Sequence, residues 1–428
     1  MNSFKIVTFG CKVNTYESEG IKEFLKNKGL VESDNSPDYI IINSCAVTST
    51  AERKCRYKLH SLIKKFPNAK VLIMGCSAAN SFEEYKKIAN VKVISGNEGK
   101  INAVKVLLDN RKEQINLVNK NSRNFLYDEE NHISQFGKEC RAFLKIQDGC
   151  NNFCSYCIIP YVRGNSRSRK KESVLSEVAS LFENGYKEIV ITGIDMGSYS
   201  DLEGKYLLKD LLKDILDITP EGRRIRISSL ETGQIDDDII DLFSIYKDKL
   251  VRHLHIPLQS GSDKILKLMN RKYDLDKFRY VCNELKKKIN EFGFSTDVIV
   301  GFPQESNDDF LNTYEFIKEI GFSRLHVFPY SKREGTYAYN LKQINDKEKK
   351  SRVARLIELG NILKEKFISE LENERISVLF EKTCVIDGKK HFYGYSDNYL
   401  EVDVISEKDL LNSIYSVSII NGKFVLNS

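Results

Sequence analysis

Apolar and polar positions change rhythm several times along this chain, and each change marks a new kind of element. From Phe4 to about Ile94, short apolar runs (FKIVTFG, YIIINS, KVLIMG) alternate with longer amphipathic stretches such as ESEGIKEFLKNKGL. That strand-helix-strand rhythm predicts a parallel sheet covered by helices on both faces, a doubly wound α/β domain over residues 1–110. Residues 111–137 are polar and carry no sustained strand pattern, so they read as a connecting segment. Six further apolar runs follow, RAFLKIQ, KEIVITG, RRIRISS, VRHLHIP, FSTDVIV and SRLHVFP, separated by helical stretches. They predict a partial or complete β/α barrel whose site lies at the strand C-terminal ends. With a charged connector helix, this unit extends over residues 138–371. The alternating runs YGYSDNYLEVDVIS and YSVSIINGKFVLN then predict a small β domain over residues 372–428.

Length agrees with several domains, because 428 residues exceed what one hydrophobic core normally supports. No apolar run approaches a membrane span, and the opening MNSFKIVTFG lacks the features of a secretory signal, so no membrane partner and a cytoplasmic location are expected. In that compartment ten cysteines do not form a disulfide framework, which raises the prior for metal or catalytic roles. The net charge of +6 fits an ordinary enzyme as well as a nucleic-acid binder.

The sharpest chemical signal is Cys150-x3-Cys154-x2-Cys157, directly after a predicted strand. Soft thiolates on one loop suit clustered iron, and three of them leave one iron open for another ligand. The alternative is zinc, which normally takes a fourth Cys or His, and CNNFCSYCIIPYVRG contains no His. Cys11, Cys45 and Cys76 each follow one of the first three apolar runs, where an α/β sheet would bring them to one point; lone buried thiols are the alternative. Cys55, Cys140, Cys282 and Cys384 are assigned to packing or surface. Downstream of the cluster loop, Arg163, Arg167, Arg169, Lys170 and Lys171 have no acid among them and are expected either to position an RNA backbone or to form a solvated basic loop. Gly193, Ser198, Gln259, Ser260, Asp297 and Arg333 fall at predicted strand ends, as cofactor or substrate contacts or as helix caps. Tyr156 and Phe153 are expected to shield the cysteine loop. His253 and His255 are expected to point to opposite faces of their strand, as core histidines rather than ligands.

CNNFCSYC resembles the cluster loop of radical S-adenosylmethionine (SAM) enzymes. The resemblance implies a 4Fe-4S cluster on Cys150, Cys154 and Cys157 whose open iron chelates SAM, with a 5′-deoxyadenosyl radical as the product of its cleavage. TFGCKVNTYESE, NSCAVTSTAERKCR and MGC resemble the amino-terminal domain of the methylthiotransferases, which implies a second 4Fe-4S cluster on Cys11, Cys45 and Cys76. HIPLQSGS, DVIVGFP and FPYSKREGT continue the match through a radical SAM partial barrel, and the final segment resembles a TRAM domain. The family implies a tRNA substrate and an external electron donor such as a flavodoxin or ferredoxin. CKVN and RGNSRSR most resemble the branch acting on N6-threonylcarbamoyladenosine. Rivals are the isopentenyladenosine branch, with motifs more like CQMN and TRGRE, a branch acting on an aspartate of a ribosomal protein, and a non-enzymatic iron-sulfur or RNA-binding module. Two features depart from the pattern. Gln304 stands where the family often has Gly after GFP, and the terminal domain carries six Lys or Arg against nine Asp or Glu, weak support for phosphate binding there.

Overall fold

The apolar runs of the amino-terminal third become a parallel sheet. The computed structural model describes residues 2–427 except 110–112, 120, 122, 124 and 135–139. The strands are β1 (Ser3–Thr8), β2 (Val31–Glu32), β3 (Tyr39–Ser44), β4 (Lys70–Gly75), β5 (Val91–Ile94) and β6 (Ile115–Asn116), in the order β2-β1-β3-β4-β5-β6. Helices α1 (Lys12–Asn27), α2 (Ser49–Lys65), α3 (Cys76–Asn80), α4 (Phe82–Lys86) and α5 (Lys100–Leu108) connect them. β3 is buried along its length, with an apolar run from Tyr39 to Ile42, because both faces are covered: Ile41 packs with Ile21 and Leu25 of α1, and Ile40 and Ile42 pack with Cys55 and Leu59 of α2. β6 lies inside the stretch read as a connector, since two residues are too few to leave a periodic signal.

The six later runs form β7 (Arg141–Lys145), β10 (Glu188–Thr192), β11 (Arg224–Ile227), β12 (His253–His255), β13 (Gly293–Val300) and β14 (Arg324–Pro329), with a short hairpin of β8 (Gln147–Asp148) and β9 (Arg167–Ser168) after the first. They make two three-stranded parallel sheets, β11-β10-β7 and β12-β13-β14. Parallel bridges Ile225–Leu250 and Ser229–His255 join the two into one partial barrel. Around it lie α6 (Ile159–Arg163), α7 (Lys171–Glu183), α8 (Leu208–Ile218), α9 (Asp237–Ile245), α10 (Asp263–Leu268), α11 (Leu275–Lys288) and α12 (Asn307–Ile320). The connector α13 (Asp346–Glu370) leads to an antiparallel sheet of β15 (Arg375–Ile386), β16 (Lys389–Ser396), β17 (Glu401–Ile405), β18 (Ser413–Ile420) and β19 (Lys423–Leu426), ordered β17-β16-β15-β18-β19.

Buried charges fasten the three parts together. The terminal sheet sits at the N-terminal ends of the barrel strands, where Glu188 pairs with Arg224 at 2.5 Å and Arg226 at 2.7 Å. The same two guanidinium groups donate to the main-chain oxygens of Ser377 and Ser396, each at 2.9 Å. Between the first domain and the barrel, Glu17 of α1 receives Lys145 at 3.0 Å, Arg163 at 3.1 Å and the Lys100 ammonium. Arg163 and Lys145 also pair with Asp148 at 2.9 and 2.7 Å. All five side chains are buried. The cations around Glu17 outweigh its burial and hold its carboxyl well below the usual range.

Gln304 has φ +68°, left-handed backbone that a glycine takes without steric cost, and its exposed side chain gains nothing by packing. That accounts for glycine being frequent in this position among the proteins the motif resembles.

Replacing Glu17 by Ala should lower stability by about 3–5 kcal/mol, because it strands buried cations without a partner. Urea denaturation followed at the interface between the first domain and the barrel measures this, and an unchanged midpoint would show that the network carries no load.

Candidate active site

The first cysteine set follows from the strand order. That order reverses between β1 and β3, which makes a crevice at their carboxyl ends, and Cys11 and Cys45 follow those two strands while Cys76 follows β4. Gly10 turns with φ +105°, and a Cβ there would meet Cys45 Cβ at 2.8 Å and its Sγ at 2.9 Å. Only glycine lets the chain pass so close to the second thiol. Cys45 Sγ accepts from the Val47 backbone N–H at 3.5 Å, and Cys76 Sγ from Asn97 Nδ2 at 3.5 Å. Burial, with Cys76 beside it, pushes the Cys45 thiol up to about 12. Cys11 is exposed where it opens onto the barrel, and the Arg163 guanidinium is among the charges that act on it.

The second set rides on the loop after β8. Gly149, at φ +72°, starts it, and a Cβ there would stand 2.0 Å from the Asn165 carbonyl oxygen. Cys150 N–H donates to Gly164 O at 3.0 Å, Ser155 N–H to Met269 O at 3.0 Å, and Asn270 Nδ2 to Phe153 O at 3.0 Å. Anchored on both sides, the loop presents three thiols. Cys150 Sγ lies 3.6 Å from Asp195 Oδ2, and Arg271 Nη1 donates to Cys154 Sγ at 3.3 Å. Burial pushes the Cys157 thiol up to about 12. Cys76 packs with Ile158 and Val162, just after Cys157, so the two sets lie on either side of that short segment.

Both donor sets fit iron-sulfur clusters better than zinc. Among the described residues, neither set brings its three sulfurs within 4.8 Å of one another. Tetrahedral zinc, with Zn–S bonds of about 2.3 Å, needs them about 3.8 Å apart, whereas a four-iron cluster spreads its ligands over a wider body. The interior beside the first set is cationic: among the described residues Lys100, Lys145, Arg163 and Arg167 share ion pairs with Glu17 and Asp148. That surplus suits thiolates and the negative charge of a cluster they hold.

The barrel lumen contains a cavity of about 580 Å3. Cys11 and Lys12 of the first domain line it, with Phe143, Val190, Arg226, His253, His255, Asp297, His326 and Phe328 of the barrel and Tyr399 of the terminal domain. His255 Nδ1 lies 2.9 Å from Ser295 Oγ, and its Nε2 lies 3.5 Å from Asp297 Oδ2. His253 and His255 both face the lumen, contrary to the expectation of opposite faces, because residues two apart on a strand share a face. His253 stacks on Tyr399 at 4.4 Å, and burial holds it well below the usual histidine value.

The other expected contacts divide. Tyr156 is packed against Phe302 beside the cysteine loop, and its hydroxyl receives Arg271 Nη1 at 3.4 Å. Gly193 is tight: a Cβ would meet Met196 Cγ at 2.7 Å. Ser198 Oγ donates to Asp195 O at 2.7 Å and accepts from Ser166 Oγ at 2.6 Å, so it shapes the loop that presents Asp195. Gln259, at φ +62°, pairs through its backbone with Asp297 and Ile299. Ser260 is buried against α12, with its Oγ 3.3 Å from Thr313 Oγ1, which removes it from cofactor contact. Arg333 pairs with Glu52 at 2.7 Å and so fastens α2 to the loop after β14.

The basic run is the largest correction. Arg163 is fully buried between Glu17 and Asp148; Arg169 is buried against Glu177 at 2.6 Å; Arg167 pairs with Asp148 at 3.0 Å. None of the three is free to reach a phosphate, because their acids lie outside the run in sequence. Lys170 and Lys171 are exposed, the latter over the Tyr206 ring at 4.6 Å. Sequence reasoning also missed Asp195, Glu231, Asn152 and Arg271. Asn152 Nδ2 donates to Asp195 and to Glu231, each at 3.3 Å, and Arg271 pairs with Glu231 at 3.0 Å. Asp195 follows the apolar run KEIVITG closely, and an acid at such a strand end is the signal that could have found it.

Comparison with known proteins agrees with this geometry. A model of the radical SAM superfamily matches residues 144–317, and one described as "Uncharacterized protein family UPF0004" matches residues 3–96. The threonylcarbamoyladenosine tRNA methylthiotransferase MtaB of Bacillus subtilis (strain 168) is 40% identical over 427 residues, covering 98% of this chain and 94% of that protein. The protein of the same name from Rickettsia prowazekii (strain Madrid E) is 35% identical over 408 residues, covering 95% and 94%. The tRNA-2-methylthio-N(6)-dimethylallyladenosine synthase of Clostridium tetani (strain Massachusetts / E88) is 34% identical over 434 residues, covering 97% and 93%. Among solved structures, the radical SAM methyltransferase TsrM from Kitasatospora setae, with cobalamin and a 4Fe-4S cluster bound, superposes with a TM-score of 0.57 at 13% identity, covering 79% of this chain and 77% of that one, a likeness of fold alone. With relatives matched over nearly its whole length, and with the two family models falling one on each cysteine set, this chain belongs to the radical SAM tRNA methylthiotransferase family.

Proposed function

We propose that this enzyme transfers a methylthio group to C2 of N6-threonylcarbamoyladenosine at position 37 of tRNA. The observation that carries this is the placement of two three-thiol sets around one segment, with Cys11 of the first opening onto the barrel lumen. The higher identity to relatives named for threonylcarbamoyladenosine, 40% against 34% for the dimethylallyladenosine synthase, supports the substrate branch. So does the polar lining of the lumen, where an apolar isopentenyl chain would leave buried polar groups unpaired.

In this reading Cys150, Cys154 and Cys157 hold the cluster that binds SAM, and Cys11, Cys45 and Cys76 hold the second. When bound, these groups supply the radical that removes hydrogen from C2, the sulfur, and the methyl group. The chain's own residues orient and enclose. Arg271 donates to the Cys154 sulfur, and thiolate ligation displaces protons that burial holds on the thiols. Asp195, Asn152 and Glu231 form a hydrogen-bonded rim beside Cys150, placed to receive the amino and hydroxyl groups of SAM. Phe143 and Phe328 give the lumen apolar walls for an adenine ring. A base 3′ of the anticodon is unpaired in its loop, which lowers the cost of turning it into the lumen. An external flavodoxin or ferredoxin supplies electrons. Among the described residues no helix is long and apolar enough to cross a membrane, in keeping with work on tRNA in the cytoplasm.

The substrate reading is tested by giving anaerobically reconstituted enzyme two tRNAs, one carrying threonylcarbamoyladenosine and one isopentenyladenosine, then digesting to nucleosides for mass spectrometry. Methylthiolation of the first is expected; equal or preferential action on the second would move the enzyme to the rival branch. For the clusters, replacing Cys150, Cys154 and Cys157 by Ala should remove about half of the reconstituted iron and abolish SAM cleavage. The same change at Cys11, Cys45 and Cys76 should remove the other half and abolish methylthio product, and full iron retention in either variant would refute its ligand set. Lys170 and Lys171 are the basic residues left to meet phosphate. Neutralising both should lower the slope of log affinity against log salt by about 1–2, and a slope equal to wild type would mark them as solvated only.

A further inference from the structure

Lys12, the first residue of α1, and His326, on β14, both line the cavity, and among the described residues neither side chain makes a hydrogen bond or ion pair. The other cations there are matched: Arg141 pairs with Glu381 at 2.5 Å, and Arg226 with Glu188 at 2.7 Å. The one acid of the lining, Asp297, is turned to His255 at 3.5 Å. An unmatched ammonium next to an unpartnered imidazole leaves the wall short of an anion.

His255, Asp297 and His326 place their ligand atoms within 4.8 Å of one another, a donor set of the kind that binds a divalent metal. Lys12 lines the same cavity with no acid paired to it among the described residues, and its field opposes a cation and favours an anion. We propose that Lys12 and His326 bind the carboxylate of the threonylcarbamoyl group, with Asp297 accepting a hydrogen bond from its hydroxyl or amide N–H. The proposal rests on the substrate reading given above and deepens it by naming the residues that select the modification.

The chemistry of the substrate matches the position of these groups. N6 and C2 of adenine flank N1 on one edge, so a contact that fixes the N6 substituent also fixes where C2 points. Lys12 adjoins Cys11 in the chain, and both line the cavity. One helix start thus anchors the substituent and carries a thiol of the second set, which brings C2 toward the sulfur source. His326 is lowered from the usual histidine value mainly by burial, so its ring is ready to donate one N–H without competing for a proton.

The test uses full-length reconstituted enzyme and synthetic anticodon stem-loops carrying either threonylcarbamoyladenosine or its carboxyl methyl ester at the modified position. Wild type should prefer the free carboxylate in kcat/KM by roughly tenfold to a hundredfold. Lys12→Gln and His326→Gln should each bring that ratio toward one, chiefly by raising KM for the carboxylate substrate, while Lys12→Arg keeps the preference. A variant that merely weakens the fold would lose both substrates in proportion and keep the ratio, and that result overturns the assignment. Equal action of wild type on acid and ester also overturns it, with the substrate reading intact. Inactivity toward the acid together with activity on an isopentenyladenosine stem-loop would instead bring down the substrate reading.

Discussion

Arg163 between Glu17 and Asp148 is the contact on which the arrangement of the two cysteine sets depends. Each of these side chains comes from a different element, and each is removed from water. Burying a lone charge costs several kcal/mol, so the network is tolerable only when all its members are in place. Lys145 closes it from β7 and Lys100 from α5. The first domain and the barrel are therefore held in one relative position by charge pairing, beside apolar contacts of Ala46 and Cys76 with Ile158 and Val162 and of Tyr16 with the barrel core. The surplus of cations in that network lies near Cys11 and Cys76, whose thiolates offer the missing negative charge. The proposed ligation of a cluster by those sulfurs and the docking of the two domains would thus be favoured by the same field.

Two rules of α/β architecture then bring the chemistry together. A doubly wound sheet opens its crevice where strand order reverses, and a parallel barrel offers its loops at the carboxyl ends of its strands. Here the segment Ile158–Val162 lies between them, touching Cys76 on one side and following Cys157 on the other. Neither domain alone would enclose the lumen, since Cys11, Lys12 and Tyr399 close parts of it from outside the barrel.

Much of this was legible in the sequence because it is local. Apolar runs of four to eight residues gave the strands, and cysteines directly after them gave both thiol sets. What stayed hidden depends on partners distant in the chain. The arginines from Arg163 to Arg169 look like an RNA-binding loop because the acids that neutralise two of them, Glu17 and Glu177, lie elsewhere. Ser260 resembles a site residue until α12 covers it. Strand β6 is too short for a period to show, and the shared face of His253 and His255 was available from the two-residue repeat of a strand but was read the wrong way. The rim of Asp195, Asn152, Glu231 and Arg271 draws on four separate loops, so no single motif contains it.

The docking of the terminal sheet has a consequence for how its surface can vary. Arg224 and Arg226 reach across to carbonyl oxygens of Ser377 and Ser396, and a carbonyl is present whatever residue occupies the position. These two contacts read the path of the backbone, whereas Glu381, Asp397 and Tyr399 meet Arg141, Arg252 and His253 through their side chains. Outward-facing residues of β15 and β16 that lie away from those side-chain contacts can accordingly vary while the mount on the barrel stays the same.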